Sequence, residues 1–487
     1  MSSSRSGFVM VLVLSTGLSA LADSKVLFDF EDAAAVKAWS NANVYALREA
    51  EVKAAADARS ATNAAAPAYK PPASIPSEPP VQIEQSTENA PAGQHSFKLT
   101  FAGGRMPTVS IASPLADWTP YKTFRAEVTA SRTCMVVFRA MNETSKYGVG
   151  YNEGCSRWEK AARVEAGKNT VLGATPAYKN VTTFQIYMYN PRKGESIFVD
   201  NIALSSETTT GTAFNSTLPP PAGKYKVSGT DLDVRDVDDL ADQLKDKWVK
   251  PDSNTVEQVE ADIQAEYQKI KAAHPKAVLA ILRDGQKGYD PANPDKPFAG
   301  WEDAGTPSHL PMSLTLANFS NSGKSDRMET CFRNRPGFLR VDLTAIPKGA
   351  DILAARLIVV RGVDMGPNWQ TKPTMFAAEP CNRPWKEYEV NVFEYAKDLL
   401  WKEYAADTWG EGGDCDAVLL AHGPSGGTVS SWDFSHAVRY WTDGKHANNG
   451  FILYGSPKYV DYLNICTRES GQANNRPAVA VVYEPKE

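Results

Sequence analysis

The chain has 487 residues and a formal net charge of −5, with 42% hydrophobic and 22% charged residues. These values are typical of globular proteins, and the length predicts two or three domains. No block of Lys and Arg stands out, so we expect no nucleic-acid partner.

The N-terminus has the pattern of a secretory signal peptide. An apolar run follows Arg5, and Ala20-Leu21-Ala22 fits a small-x-small cleavage site before Asp23. An N-terminal membrane helix is the alternative, but the run is short, and no later stretch approaches the ~20 apolar residues that a spanning helix needs. We predict a signal peptide over 1–22, no stable membrane insertion, and a secreted protein that is extracellular or periplasmic.

The next part of the chain has the alternation of an antiparallel β-sandwich. Stretches such as HSFKLTF (95–101) and FRAEVTA (124–130) alternate apolar and polar residues, with Gly, Pro and Asn between them. We predict a sandwich over 23–205 with an Ala- and Pro-rich, partly disordered insertion at about 50–85. A linker rich in Thr, Ser, Pro and Gly follows over 206–228.

Between this part and a second β-rich part, the apolar residues show helical spacing. This spacing predicts a helical hairpin spacer over 229–290, in which Thr255 and Gln258 form a capping box for the second helix. From 291 to 487 the chain returns to strands, with one further helix predicted over 392–405. The predicted fold class is mainly β, with two antiparallel, jelly-roll-like β-sandwich domains separated by a linker and a short helical segment.

Six cysteines are disulfide candidates in an exported protein. Cys134 and Cys155 flank a polar turn, NETSK (142–146), and a hairpin folded there predicts a disulfide between them. The four late cysteines allow three pairings that the sequence does not resolve. They are Cys331, Cys381, Cys415 and Cys466. The alternative is that all six are unpaired and buried.

The stretch 432–441, WDFSHAVRYW, spaces an Asp, a His and an Arg three residues apart and so raises the question of an acid–base site. Phe434, Val438 and Trp441, however, lie on one helical face, and Asp433 is well placed as an N-cap. We therefore predict that the stretch is architectural.

Three ordered motifs in the last ~150 residues resemble the DNRLRE family of secreted β-sandwich modules, which is grouped with family 96 of the carbohydrate-binding modules. The motifs are LRVDLTAIPKGADILAARL (339–357), WDFSHAVRYWTDGKHANNGFIL (432–453) and TRESGQANNRPAVAVVY (467–483). The chain departs from the family at Ser435, where the family has Thr, and in the long insertion 363–431. The resemblance implies a non-catalytic sandwich.

The first part resembles jelly-roll carbohydrate-binding modules in LFDFED (27–32), HSFKLTF (95–101) and IFVDNIAL (197–204). In several of those families, carboxylates of the opening and closing strands hold a structural calcium. The matching positions are Glu31 and Asp200, so the resemblance implies a calcium site here, and calcium prefers such oxygen ligands. The alternative is that Asp200 accepts a turn hydrogen bond.

The leading hypothesis is an exported, non-catalytic carbohydrate-binding protein, accessory to polysaccharide degradation or attachment. Its partners would be a polysaccharide or other glycan and a carbohydrate-active enzyme. One alternative is a polysaccharide lyase or glycoside hydrolase, but no ordered signature selects its acid and base, so we predict no catalytic residues. The other is a structural protein of the cell surface or matrix.

The predicted sugar contact is an aromatic cluster on the first sandwich: Tyr147, Tyr151 and Trp158, with Asn152 and Arg157 available for hydroxyls or a uronate carboxylate. Tyr147 and Tyr151 are four residues apart and share one face of an extended strand. The alternative is that one or two of these rings cap the hydrophobic core. The rival aromatic platforms are Trp118, Trp369, Trp385 and Trp409.

Overall fold

The computed structural model describes residues 24–62, 69–208, 225–227, 233–234, 239, 242–243, 254–306, 321–330, 336–362, 374–402, 413–425, 428–455 and 463–486, apart from 72, 76, 92, 143–144, 146–156, 176 and 417. The predicted signal peptide lies outside these residues. Within them, no helix has the length and apolar character needed to cross a membrane.

Two antiparallel sheets form the first β-sandwich. The first sheet contains β1 (Ser24–Phe28), β3 (Gln82–Ser86), β4 (Ser96–Ala102), β6 (Thr123–Ala130), β9 (Gly167–Ala174) and β11 (Lys193–Ser205). The second contains β2 (Ser40–Ala42), β5 (Thr108–Ala112), β7 (Cys134–Asn142), β8 (Arg157–Val164) and β10 (Val181–Met188). The strand orders are β3-β4-β11-β6-β9, with β1 also paired to β11, and β2-β5-β10-β7-β8.

The alternation of side chains along β7 shows where the core of this sandwich lies. Val136, Phe138 and Ala140 join the core between the two sheets. Met135 and Val137 point the other way and belong to a separate apolar cluster. The second sheet is therefore apolar on both faces, and its outward face is covered as well.

A second β-sandwich follows. Its four-stranded sheet, in the order β14-β27-β18-β24, contains β14 (Val278–Arg283), β18 (Asp351–Val360), β24 (Val429–Asp433) and β27 (Ala478–Glu484). Its five-stranded sheet, in the order β15-β17-β25-β19-β23, contains β15 (Trp301–Gly305), β17 (Gly337–Val341), β19 (Thr374–Pro380), β23 (Ala421–Ser425) and β25 (Phe451–Gly455). One apolar core contains residues of both sheets. The predicted mainly β class, with two antiparallel sandwiches, is confirmed.

Two short pairs of strands and one short three-stranded sheet accompany these sheets. They are β16 (Arg327–Thr330) with β26 (Leu463–Cys466), β20 (Glu394–Ala396) with β21 (Leu399–Leu400), and β12 (Tyr225–Val227) with β13 (Asp233–Val234) and β22 (Val418–Leu419). The α-helices with described bounds are α1 (Ala33–Lys37), α2 (Val44–Thr62), α3 (Val256–Ala273) and α4 (Ser435–Thr442), and a 3₁₀ turn spans Ala473–Asn475.

Helix α3 begins at the predicted capping box. The Thr255 hydroxyl accepts a hydrogen bond from Gln258 N, and the Gln258 side chain accepts one from Thr255 N. The helix packs Val256, Val259 and Ile263 against the outward face of the four-stranded sheet. It covers the second sandwich.

Two strands lie inside the range predicted as a helical hairpin. Asp233–Val234, at the start of the first predicted helix, is strand β13, whereas Asp239, Asp242 and Gln243 within its range are helical, and most of the residues around them lie outside the described part. Val278–Arg283 is strand β14 of the second sandwich, paired with β27. Apolar residues spaced for one helical face also occur in short strands, so the local pattern alone does not distinguish a helix from a strand here.

Two other local predictions are corrected. The insertion predicted to be partly disordered begins inside helix α2, because its Ala-rich sequence has high helix propensity and Val44 and Tyr45 anchor the start in an apolar cluster. The helix predicted over 392–405 is a hairpin of β20 and β21 as far as the chain is described. Asn391 Oδ1 accepts hydrogen bonds from the N–H groups of Phe393 and Glu394 at the start of β20, and Asp398 has a φ of 63°, which makes the turn.

The predicted Cys134–Cys155 disulfide is also contradicted. Cys155 lies outside the described residues, but β7 pairs Cys134 with Val164 and Met141 with Arg157. The strand from Cys134 to Met141 spans roughly 23 Å at ~3.3 Å per residue. The chain from Arg157 back to Cys155 reaches at most ~7 Å. No disulfide joins the four described cysteines, which are Cys134, Cys381, Cys415 and Cys466.

The stretch 432–441 has the predicted architectural packing. Val438 is fully buried and Trp441 is nearly so. The N-cap of this helix is Phe434 and not the predicted Asp433, whose Oδ1 accepts a hydrogen bond from Ser435 N at 2.9 Å just before α4. The Ser435 hydroxyl in turn accepts one from Ala355 N of β18, which ties the helix to the sheet.

The two sandwiches touch through the β20–β21 hairpin. Phe393 packs on Tyr189, with ring centroids 4.5 Å apart, in the cluster that covers the outward face of the first sandwich's second sheet. Tyr189 Oη donates to Glu394 Oε2 at 3.1 Å and accepts from Asn391 Nδ2 at 3.2 Å.

Candidate functional site

An exposed tyrosine ring on the second sandwich marks the candidate site. Tyr388 is 50% exposed and lies in the segment between β19 and β20. Trp385, three residues earlier, is fully buried, with its ring centroid 5.7 Å from that of Phe338. This buried Trp anchors the segment, so the Tyr388 ring projects from a fixed base.

A loop before β16 supports the same segment and carries a lysine to the ring. Asn321 Nδ2 donates to Glu387 O at 2.6 Å, and a Cβ on Gly323 would lie 2.4 Å from that same carbonyl oxygen. The contact therefore requires a glycine at 323. Lys324 is exposed, and its Nζ lies 5.6 Å from the centroid of the Tyr388 ring, within cation–π range.

Arg468 provides a second cation, from the segment that follows β26. Its Nη2 donates to Tyr388 Oη at 3.2 Å. Its Nε lies 3.1 Å from Glu469 Oε1 and 3.2 Å from Glu387 Oε1. Nη1 donates to the carbonyl oxygen of Trp301. The guanidinium is therefore held in one orientation, and its charge is shared between two carboxylates.

Asp303 of β15 lies beneath this arrangement. Its Oδ2 accepts a hydrogen bond from Arg468 N at 2.8 Å, and its own N–H donates to Glu387 Oε1 at 3.1 Å. Burial raises the pKa of Asp303 well above its usual value. Burial also raises the pKa of Glu387, against the hydrogen bond from Asp303 N.

A cavity of about 340 Å³ adjoins the loop that carries Lys324. Ser322 and Ser325 line it, together with Arg327 and Asn464. These side chains offer hydroxyl, guanidinium and amide groups, which suit the hydroxyls of a polar ligand. We call Lys324, Tyr388 and Arg468, with this cavity, the Tyr388 surface.

Most of the sugar contact predicted on the first sandwich lies outside the described residues. This holds for Tyr147, Tyr151 and Asn152, so their part in binding stays a prediction. Arg157 begins β8 opposite Met141, and the structure does not describe its side chain.

The structure contradicts the predicted sugar contact at Trp158. It is 2% exposed, its Nε1 donates to Ala174 O at 2.9 Å, and its ring centroid lies 4.8 Å from that of Phe124. It is part of the sandwich core and its ring cannot stack on a sugar, because alternation along β8 turns it inwards. The rival platforms Trp118 and Trp385 are also fully buried, and Trp369 and Trp409 lie outside the described part of the chain.

The outward face of the same sheet carries a buried polar group. Arg139 is fully buried, pairs with Glu159 and donates from Nη1 to Gln185 Oε1 at 3.0 Å. Its guanidinium carbon lies 4.8 Å from the centroid of the Tyr187 ring. These groups could bind a sugar chemically, but they are covered.

Glu31 and Asp200, the predicted calcium ligands, lie on neighbouring parts of the first sandwich. Glu31 follows β1, which pairs Phe28 with Ile202 of β11. Glu31 Oε1 accepts hydrogen bonds from the N–H groups of Gln94 and His95, and Oε2 lies 3.0 Å from His95 Nδ1. The hydrogen bonds with His95 lower the pKa of Glu31.

Asp200 is buried, and its Oδ1 accepts a hydrogen bond from Asn201 N at 2.7 Å. The contact of Asp200 with Asn201 N matches the turn hydrogen bond given as the alternative. Both groups are carboxylates, which are ligands that calcium prefers, and a calcium site here stays a prediction.

The sequence contained signals for the Tyr388 surface that were not interpreted as such. Arg468 and Glu469 lie in the third motif, TRESGQANNRPAVAVVY (467–483), which contributed only to the resemblance to DNRLRE modules. Glu387 and Tyr388 follow Trp385, which was considered only as an aromatic platform. Nothing local indicated that these segments meet β15.

No protein-family model and no curated protein matches this sequence. Among solved structures, a family 11 carbohydrate-binding module from Clostridium thermocellum, in complex with a β-1,3-1,4-mixed-linked tetrasaccharide, is 15% identical over 38% of this chain and 96% of the module, with a TM-score of 0.24. CtCBM11 in solution is 14% identical over 39% of this chain and all of that one, with a TM-score of 0.25. TmCBM61, in complex with β-1,4-galactotriose, is 13% identical over 26% of this chain and 80% of that one, with a TM-score of 0.18. At these identities and TM-scores, the ligands of those modules say nothing about the ligand of this chain.

Proposed function

We propose that this protein is an exported carbohydrate-binding protein that contacts a polysaccharide through the Tyr388 surface. The observation that supports it is a half-exposed aromatic ring fixed from below, with Lys324 Nζ at 5.6 Å from its centroid and Arg468 at its hydroxyl. An exposed ring offers a flat apolar face to the C–H groups of a pyranose, and the cations and the polar cavity suit its hydroxyls or a carboxylate.

The role we propose is accessory to polysaccharide degradation or attachment, with a carbohydrate-active enzyme as partner. The resemblance of the three late motifs to DNRLRE modules supports a binding role for the second sandwich. The aromatic cluster at Tyr147 and Tyr151 is retained as a second contact, on the first sandwich.

Binding without catalysis is favoured over the lyase or hydrolase alternative. Asp303 is fully buried, and Glu387 and Glu394 are 6% and 7% exposed, so none of the described carboxylates with a raised pKa is open to a substrate. General acid–base catalysis requires such a group within hydrogen-bond reach of the scissile bond. Release of reducing ends or unsaturated products from a polysaccharide panel would overturn this choice.

Affinity electrophoresis in gels containing acidic or neutral polysaccharides tests the proposal. We expect retardation by at least one polysaccharide and a roughly threefold to tenfold weaker affinity for Tyr388→Ala, because stacking contributes ~0.5–1.5 kcal/mol and ~1.4 kcal/mol is one decade. Leu399→Ala is the matched control, since Leu399 is an exposed apolar residue of the same insertion.

Two outcomes would contradict the proposal in different ways. No retardation on any polysaccharide would reject carbohydrate binding and favour the structural alternative. Retardation that survives Tyr388→Ala but is lost in Tyr151→Ala would place the contact on the first sandwich.

A further inference from the structure

Three carboxylates from distant parts of the chain converge beneath the Tyr388 surface. Asp303 comes from β15, Glu387 from the segment after β19, and Glu469 from the segment after β26. One oxygen of each lies within 4.8 Å of the others. Asp303 and Glu387 are buried and Glu469 is partly buried, so water screens their repulsion poorly.

Hydrogen bonding leaves part of this cluster unsatisfied. Asp303 is fully buried, and its Oδ1 has no hydrogen-bond partner among the described residues. Glu469 Oε2 is also buried and also has no hydrogen-bond partner among the described residues. A buried charged oxygen without a partner is unfavourable, so two in one cluster indicate a missing positive ligand.

The net charge of the cluster also indicates a missing cation. Arg468 is the cation that contacts all three carboxylate-bearing residues, through its N–H to Asp303 and through its guanidinium to Glu387 and Glu469. It offsets one of three negative charges when all three carboxylates are ionised. The remaining two charges equal those of one divalent cation.

We propose that Asp303, Glu387 and Glu469 form a calcium site. The three donors are carboxylate oxygens without nitrogen or sulfur, which suits a hard cation and not zinc or copper. Calcium binds oxygens at ~2.3–2.6 Å, so two of its ligands lie at most about 5 Å apart, and the spacing of these oxygens meets that limit. Water would supply the other ligands.

Such an ion would brace the Tyr388 surface from beneath. It would join β15 to the two segments that carry Tyr388 and Arg468, and it would free Arg468 from balancing the carboxylates alone. This inference does not depend on glycan binding, because calcium binding and thermal stability are measured without a glycan.

Calorimetric titration of the full-length, chelator-treated protein with CaCl2, together with its thermal melting, tests the site. We expect saturable binding and a melting temperature that rises with calcium, since a ligand of the folded state stabilises it by mass action. Asp303→Asn and Glu469→Gln should each weaken this binding at least tenfold. Without calcium, Asp303→Asn should melt at or above the wild-type temperature, because it removes a buried charge.

The first sandwich supplies the control, because Glu31 and Asp200 are a separate calcium candidate. Glu31→Gln should leave binding at the Asp303 cluster unchanged. Glu469→Gln serves if Asp303→Asn fails to fold, because Glu469 is partly exposed. The proposal is wrong if the wild type binds no calcium, as expected for a cluster neutralised by protons, or if a folded cluster variant binds calcium with the affinity and stoichiometry of the wild type.

Discussion

Trp158 and Tyr388 show how burial decides what an aromatic side chain can do. Trp158 has the larger ring but is 2% exposed, with its indole N–H already bonded to Ala174 O. Tyr388 is half exposed and has cations beside it. The ring available to a ligand is thus the smaller one, on the other sandwich.

Trp441 and His436 share helix α4 but not its environment. Trp441 packs near Phe434 and Phe451, whereas His436 is only half-buried. We predict that Trp441→Ala lowers the free energy of unfolding by about 3–5 kcal/mol, and that His436→Ala lowers it by about 0.5 kcal/mol or less. Urea unfolding measures both.

Glycan retention gives the matching functional test of His436. It should be unchanged in His436→Ala. A loss of retention without a loss of stability would mean that the stretch 432–441 belongs to a site after all.

At the scale of elements, the end of β19 brings two cysteines together. Asn382 N donates to Asp414 O at 2.8 Å and Asp416 N donates to Pro380 O at 3.0 Å, which makes Cys381 and Cys415 a pair without hydrogen bonds between them. The Cα atoms of such a pair lie ~4.5 Å apart, within the ~4.4–6.8 Å range of disulfides.

We predict that Cys381 and Cys415 form a disulfide when the protein is expressed in an oxidising compartment. Mass spectrometry of non-reduced peptides should find this cross-link, and Cys381→Ser should lower the melting temperature of the oxidised protein only. A cross-link from Cys466 to either residue would contradict this pairing. Cys134→Ser serves as the control, because no described cysteine lies opposite Cys134 in the sheet.

The β20–β21 hairpin shows why a helical pattern can fail. Phe393, Ala396 and Leu400 have helical spacing, but Phe393 and Ala396 are buried by contacts that only the folded chain provides. The hydrogen bonds from the N–H groups of Phe393 and Glu394 to Asn391 Oδ1 would equally cap a helix, so they do not decide between helix and hairpin. Contacts distant in sequence outweigh a weak local preference.

At the scale of the whole molecule, Phe393 and Tyr189 join the two sandwiches. We predict that Phe393→Ala, which removes a buried ring, lowers stability by about 3–5 kcal/mol. It should also separate the unfolding of the sandwiches into two calorimetric transitions. Leu399→Ala, in the same hairpin but exposed, should do neither. An unchanged single transition in Phe393→Ala would show that other contacts couple them.

The mainly β class and helix α3 were predictable from the sequence, because both depend on local patterns. Alternating residues favour strands whatever their partners, and the capping box of Thr255 and Gln258 is closed within one turn. The apolar face of α4 followed from spacing for the same reason. The sequence motifs placed three segments of the second sandwich along the chain, but they did not show which other segments those three contact.

Only the tertiary structure decided which residues meet. Asp303, Glu387 and Glu469 lie far apart along the chain, and no local pattern links them. Their convergence depends on the order of strands in the second sandwich, and the burial of Trp158 depends on the strand register in the first. A shift of one residue would turn that ring outwards, since side chains alternate along a strand. Sequence patterns report the local energy of the chain, whereas sites arise from long-range packing, which the local pattern does not contain.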